Sequence, residues 1–319
     1  MLSIVYITFR EHCKFEWFIG SLLAQTDENL RKSIQIIVVD GILYSTDVTE
    51  SDRRTFIKNC IANNFEFVHV PPKPTAWQGK HRVTSGDYFA AANTRNTGAC
   101  YAKYDYIAFH DDLGCPNQTW LKAVLDAKLK NEVHCGAYTK SHDIVVESGI
   151  VVSKRDSGID HRLSVYKEDI SPAYDSHFYG SSFCMPLEFY FKLNGINEMC
   201  DGHGGEDYEF GSRITKSGAT FYYNKLMFIY ESDDIFGSDC GRTCSRADPR
   251  KNPDDPKSDL SHYMIEYTKT CDIYNINPEF SLKDYNDKIV KLGMDPEDVF
   301  LKPVDRIHFF TGKLISQGL

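Results

Sequence analysis

Apolar residues open this chain in short unbroken runs. Leu2–Thr8 and Ile34–Val39 are rich in β-branched residues and lack the strict alternation of a half-exposed strand. Such runs predict strands buried on both faces, as in a parallel sheet covered by helices. Phe65–Val70 reads as a third strand. Between the strands the period changes. Phe15, Phe18, Ile19, Leu22 and Leu23 recur at helical spacing within 12–24, and 50–63 alternate charged and apolar positions like an amphipathic helix. Strand, helix, strand, helix, strand in that order implies right-handed crossovers and a parallel sheet with helices on its faces.

Pro71-Pro72-Lys73-Pro74 breaks the pattern, and a loop follows to about Val83. Residues 85–101 read as a helix, with the Ala90–Ala92 run giving close packing, and Tyr106–Phe109 is a fourth strand ending at His110-Asp111-Asp112. Beyond 116 the signal is mixed: a helix around 117–130, short strands near 133–138 and 144–152, a polar loop at 153–176 and an apolar segment at 178–185. Residues 231–260 are rich in Asp, Ser, Gly, Pro, Arg and Lys and form a long excursion. Arg242, Arg246, Arg250 and Lys251 concentrate positive charge there, suiting either a lid over a diphosphate or a solvated loop. Short helices are predicted at 261–272 and 281–292. The division is thus an α/β domain over 1–230 and a polar, helical C-terminal extension over 231–319.

Composition narrows the function classes. A net charge of −9 argues against a general binder of nucleic acid or anionic membrane. No apolar run reaches the ~18 residues of a membrane span. The first strand starts at Leu2, which leaves no room for a signal peptide or anchor and predicts a cytoplasmic location. The ten cysteines are scattered without a CxxC pair, the pattern of buried small hydrophobes. Cys240, Cys244, His262 and Cys271 would make only a loosely spaced zinc set.

Chemistry concentrates in two acidic clusters about a hundred residues apart, Asp111-Asp112 and Glu206-Asp207. In open parallel sheets, ligands bind beyond the carboxyl ends of the strands, where Asp40 and Asp111-Asp112 fall. One carboxylate set can hold a divalent cation against a diphosphate, while another takes a proton from an attacking hydroxyl. That division of labour describes sugar transfer from a nucleotide donor.

Ser3–Thr8, Gln35–Gly41, Ala92–Gly98 and Tyr106–Asp112 stand in the order found in GT-A glycosyltransferases, and most resemble the inverting, family-2-like enzymes. Gly195–Glu198 and Gly204-Gly205-Glu206-Asp207, with Arg213, resemble the acceptor-side motif of the β-1,4-galactosyltransferase group. The resemblance spans about 2–230 and implies a Rossmann-like, nucleotide-binding mixed sheet flanked by helices. It makes Asp207 the general base and Glu206 its partner. Donor contacts fall to Thr8, Phe9, Arg10, Asp40, Arg95, Asn96 and Asp111, and the metal (Mn²⁺ or Mg²⁺) falls to Asp111 and Asp112. Gly205, His203 and Trp77 are acceptor-side candidates, and Trp77 shares its loop with Lys80, His81 and Arg82. The chain departs from the family's DxD element, because its third position is Leu113.

The expectation is an inverting, metal-dependent transfer from a nucleotide sugar, a UDP-sugar above all, to a glycan or another hydroxyl acceptor. A modified DNA base stays open as an acceptor. Two alternatives are a nucleotidyltransferase, disfavoured by the glycine-free Thr8–Glu11 turn, and a non-catalytic carbohydrate- or nucleotide-binding protein on the same fold.

Overall fold

Alternate residues of the first strand look to opposite sides, and both sides are apolar. The computed structural model of the protein describes residues 1–10, 12–44, 50–62, 64–73, 90–201, 205–234, 272–277 and 281–292. In chain order the first half contains β1 (Leu2–Thr8), α1 (Phe15–Ala24), α2 (Glu28–Arg31), β2 (Ile34–Asp40), α3 (Glu50–Ile61), β3 (Glu66–Val70), α4 (Ala91–Tyr101), β4 (Tyr106–Asp111), β5 (Gly114–Pro116) and α5 (Trp120–Lys130). Then come β6 (Val133–Glu147), β7 (Ile150–Ile159), α6 (Arg162–Val165), β8 (Ile170–Pro172), β9 (Ser182–Pro186), α7 (Leu187–Lys192), α8 (Glu206–Lys216), β10 (Phe221–Ser232) and a helix over Leu282–Leu292, α9. Leu2, Ile4 and Tyr6 pack with Phe15, Phe18 and Ile57 on one side of the sheet. Val5 and Ile7 pack with Ala92, Ala99, Phe210 and Ile214 on the other. Two covered faces explain the unbroken apolar runs.

The described strands form one mixed sheet in the order β3-β2-β1-β4-β9-β6-β10-β5, with β7 beside β6 and β8 beside β10. β1 runs parallel to both β2 and β4. The chain therefore leaves β1 toward β3 and returns on its other side, which puts a topological switch point between β1 and β4. Thr8, Asp40 and Asp111 end these strands: Thr8 is in register with Asp40, and Ile7 with Asp111.

The sequence reading and the structure part over 144–176. β6 is one long strand, and β7 turns back along it to Ile159, so the expected polar loop at 153–176 begins as strand. Val145, Ile150, Val152 and Ile159 are exposed on this hairpin. A ladder hydrated on its outer face shows neither an apolar run nor a clean alternation. The rest of that stretch holds α6 and β8.

The described part of the extension joins the main core. Leu282 and Ile289 belong to the same buried cluster as Val5 and Phe109. The Asn286 amide donates to the carbonyls of Cys100 and Ala102 at 3.2 and 2.7 Å, closing the open end of α4. The expected helix at 261–272 and nearly all of the excursion lie outside the described residues. So do Arg242, Arg246, Arg250, Lys251, Cys240, Cys244, His262 and Cys271. Among the described residues the seven cysteines are free and all but Cys60 are buried, and no helix is long and apolar enough to cross a membrane.

Candidate active site

Strand alternation sorts the residues around the β4 terminus. His110 turns into the helix-covered face, 4.9 Å from the Phe18 ring and 6.1 Å from Tyr6. Burial pushes its imidazole down to about 4, and its Nδ1 meets the Asp111 carbonyl rather than the carboxylate. Asp112 faces the β1–α1 turn: it accepts from Thr8 Oγ1 at 2.6 Å and from Arg10 Nε at 3.1 Å. Thr8 Oγ1 also accepts the Arg10 N–H. Thr8, Arg10 and Asp112 are thus a buried brace, with each oxygen of Asp112 engaged. Phe9 is half-buried, and its ring lies over Gly41, where a Cβ would stand 1.9 Å from it.

Asp40 has no exposed surface. Its carboxylate takes Arg53 Nε at 2.6 Å and His69 Nε2 at 3.0 Å. Burial alone would raise its pKa, but His69 and Arg53 outweigh that and hold it below the ordinary value. Arg53 Nη2 also donates to the Arg10 carbonyl at 2.9 Å. Asp40 therefore reaches the turn after β1 through Arg53. Neither Arg53 nor His69 stood out in the sequence.

The two acidic clusters meet at Arg95. Its Nη2 lies 2.9 Å from both oxygens of Asp111, and its Nη1 lies 3.3 Å from Glu206 Oε1. Glu206 and Asp207 open α8, where the helix dipole favours negative charge. Gly205 before them has φ +83°, a conformation that suits glycine, and a Cβ there would meet nothing within 4 Å. Asp207 is half-buried; one oxygen accepts the Tyr208 N–H at 2.8 Å, and among the described residues it makes no ion pair.

Asn96 behaves differently from the expectation. It is fully buried, and its amide donates to Ile196 O and Glu198 Oε1 while accepting from Tyr190 Oη and the Ile196 N–H. It clamps α4 to the turn at 194–198 and has nothing left for a donor. Glu198 is also buried and pairs with Lys73, and Arg213 donates to the Leu193 and Gly195 carbonyls. The Gly195–Glu198 part of the acceptor-side motif is a support for α8. His203 and Trp77, with Lys80, His81 and Arg82, lie outside the described residues.

Negative charge is in excess here. Asp111 is pushed up to about 6, first by burial and then by Asp112 and Glu206, against Arg95. Glu206 is raised by burial and by Asp207. Glu231, which the sequence reading passed over, sits nearby on β10. The Tyr179 hydroxyl donates to it at 3.1 Å, and burial pushes it up to about 7 with Asp111 adding to the shift. Among the described residues no three His, Cys, Asp or Glu side chains are arranged to hold a metal ion unaided. The donor set still fits a hard cation. Asp111 and Glu231 offer carboxylate oxygens, and such ions commonly take one or two carboxylates and complete their shell with substrate phosphates and water.

A mixed sheet with this switch point and these strand-end acids is the GT-A fold of the glycosyltransferases. Residues 1–349 of TarS from S. aureus superpose with a TM-score of 0.50 at 13% identity, over 93% of this chain and 76% of that one. GalNAc-T7, solved with UDP, GalNAc and Mn²⁺, gives a TM-score of 0.53 at 14% identity, over 99% of this chain and 58% of that one. At these identities the likeness is one of fold. In sequence, residues 161–233 match the family described as the N-terminal domain of galactosyltransferase. That stretch contains Gly195–Glu198 and Gly204–Asp207, the segments that carried the galactosyltransferase resemblance. No curated protein matches the chain.

Proposed function

We propose that this chain transfers a sugar from a nucleotide-sugar donor, a UDP-sugar, to an acceptor hydroxyl with inversion at the anomeric carbon. The observation that carries this reading is the Arg95 bridge, which brings a strand-end carboxylate and a helix-start carboxylate into one site. A Mn²⁺ or Mg²⁺ ion held by Asp111, with Glu231 beside it, would draw charge from the leaving diphosphate. Asp207 removes the acceptor proton as the hydroxyl oxygen forms its bond to the anomeric carbon and the bond to the diphosphate breaks. One displacement inverts the configuration and needs no nucleophile from the protein. Glu206 orients the base from its contact with Arg95. Thr8, Phe9 and Arg10 frame the nucleoside, and Asp40 holds that frame through Arg53. The UDP and Mn²⁺ bound by GalNAc-T7 support the choice of nucleotide and cation. The acceptor is a glycan or another hydroxyl compound.

Calorimetric titration of UDP with and without Mn²⁺, against the wild type and Asp111→Asn, tests the donor site. Metal-dependent binding that is lost in the variant is expected, followed by transfer from a UDP-sugar with the product anomer read by NMR. Binding without transfer from any donor would favour the non-catalytic alternative. No UDP binding in either condition would refute the donor assignment.

A further inference from the structure

Among the described residues, Arg95 is the side chain that touches both acidic clusters, and its contacts are unequal. Two oxygens of Asp111 lie at 2.9 Å from one nitrogen, whereas Glu206 is 3.3 Å from the other. The side chain is 2% exposed, and its Nε is buried without a partner among the described residues. Its backbone has little freedom. Asp201 accepts the N–H groups of Ala92 and Asn93 at the start of α4, and the neighbouring Asn96 is saturated. Any adjustment at this point belongs to the guanidinium.

A guanidinium and a divalent cation seek the same oxygens of Asp111. An arginine stays charged under all ordinary conditions, and a buried one cannot be left without a counter-charge. We infer that Arg95 is the positioning residue that couples the donor and acceptor halves of the site. It neutralises Asp111 before the donor arrives and shifts its charge to Glu206 when a cation takes Asp111. That transfer draws the start of α8, and Asp207 with it, into place only once the donor is bound. The inference rests on the proposed reading in which Asp111 receives the cation.

A competitor and a simple support give opposite signs when removed. If Arg95 only oriented Asp111, replacing it would weaken metal binding. If it competes, replacement tightens binding, by about five- to 150-fold, the usual span of coupling between two ligands. The experiment is a Mn²⁺ titration of the full chain at saturating UDP, against a protein-free UDP blank, followed by electron paramagnetic resonance of the free ion. It compares wild type, Arg95→Gln, Arg95→Met and Asp111→Asn, each checked by circular dichroism for the native fold. Tighter Mn²⁺ binding by either folded Arg95 variant, and its loss in Asp111→Asn, is the expected result. Binding by Arg95→Gln where wild type shows none also supports the competitor. Equal or weaker binding in the folded variants, with wild type binding Mn²⁺, overturns the inference and leaves the proposed function standing. Absence of Mn²⁺ binding in wild type and variants alike overturns both.

Discussion

Replacing Arg53 with methionine should cost this protein about 3–5 kcal/mol, the usual effect of stripping one partner from a buried ion pair. The geometry supports the full penalty. Asp40 is fully buried and the Arg53 side chain only 4% exposed, with Nε 2.6 Å from the carboxylate. The hydrogen bond to the Arg10 carbonyl goes too. His69 stays 3.0 Å from Asp40 and offsets part of the loss, which places the expectation near the lower end, about 3 kcal/mol. Denaturant unfolding of wild type, Arg53→Met, Asp40→Asn and the double variant measures it. The double variant should lose less than the sum of the singles, because a neutral pair leaves no stranded charge. The pH dependence gives a second check. In wild type the Asp40 pKa is lowered, so its contribution is full above the unfolded value of about 3.9 and fades only as pH falls through the lower folded one. Without Arg53 one of the two groups that hold that pKa down is gone and it rises, so the variant's deficit narrows as pH falls through the Asp40 titration. A loss below about 1 kcal/mol, or a deficit independent of pH, would refute the argument.

Asp207→Asn should reduce turnover by about 10²–10⁴-fold while calorimetry finds UDP binding unchanged; a matching loss of UDP affinity would remove Asp207 from the base role. Because Asp111 is raised to about 6, Mn²⁺ affinity should climb as pH rises through about 6 and level off above it, and a flat profile across that range would contradict the assignment. Gly205→Ala should cost about 1–2 kcal/mol of backbone strain alone, since nothing crowds its Cβ position. Gly195→Ala should cost clearly more, because φ is +74° and the new Cβ would stand 2.2 Å from Asn96 Oδ1. Equal melting shifts for the two alanine variants would count against that steric account.

Much of this was legible in the sequence, for reasons particular to each element. β1, β2 and β4 are buried on both faces, and their apolar runs have the length of strands rather than of helices. The order of the strand-end acids followed from parallel topology. Arg53 was not legible, because a charged residue beside Arg54 in an amphipathic helix looks like any solvated face. Only the fold shows that it turns inward. Asn96 misled for the converse reason: a polar residue next to Arg95 shares its helix but not its direction, and one helical step carries it into the core. Glu231 closes an apolar strand before a polar excursion, and that placement resembled the start of a loop.

The missing third acid at Leu113 takes on a different meaning in three dimensions. Asp111 and Asp112 are consecutive, and the structure spends them on different surroundings. Asp112 braces Thr8 and Arg10, and Asp111 meets Arg95. The third position of the segment is Leu113, whose side chain offers no oxygen. β10 supplies one. The Ser232 N–H donates to the Leu113 carbonyl at 2.8 Å, and Glu231 pairs with Gly114 across the β5–β10 ladder. These backbone contacts pin Glu231 against the turn that carries Leu113, and Glu231, raised first by burial, is raised further by the charge of Asp111. An acid provided by a neighbouring strand is held by the sheet rather than by a loop. Under the proposed reading, a carboxylate from β10 stands in for the one that the DxD spacing would supply, and the leucine at 113 is compatible with a cation at Asp111.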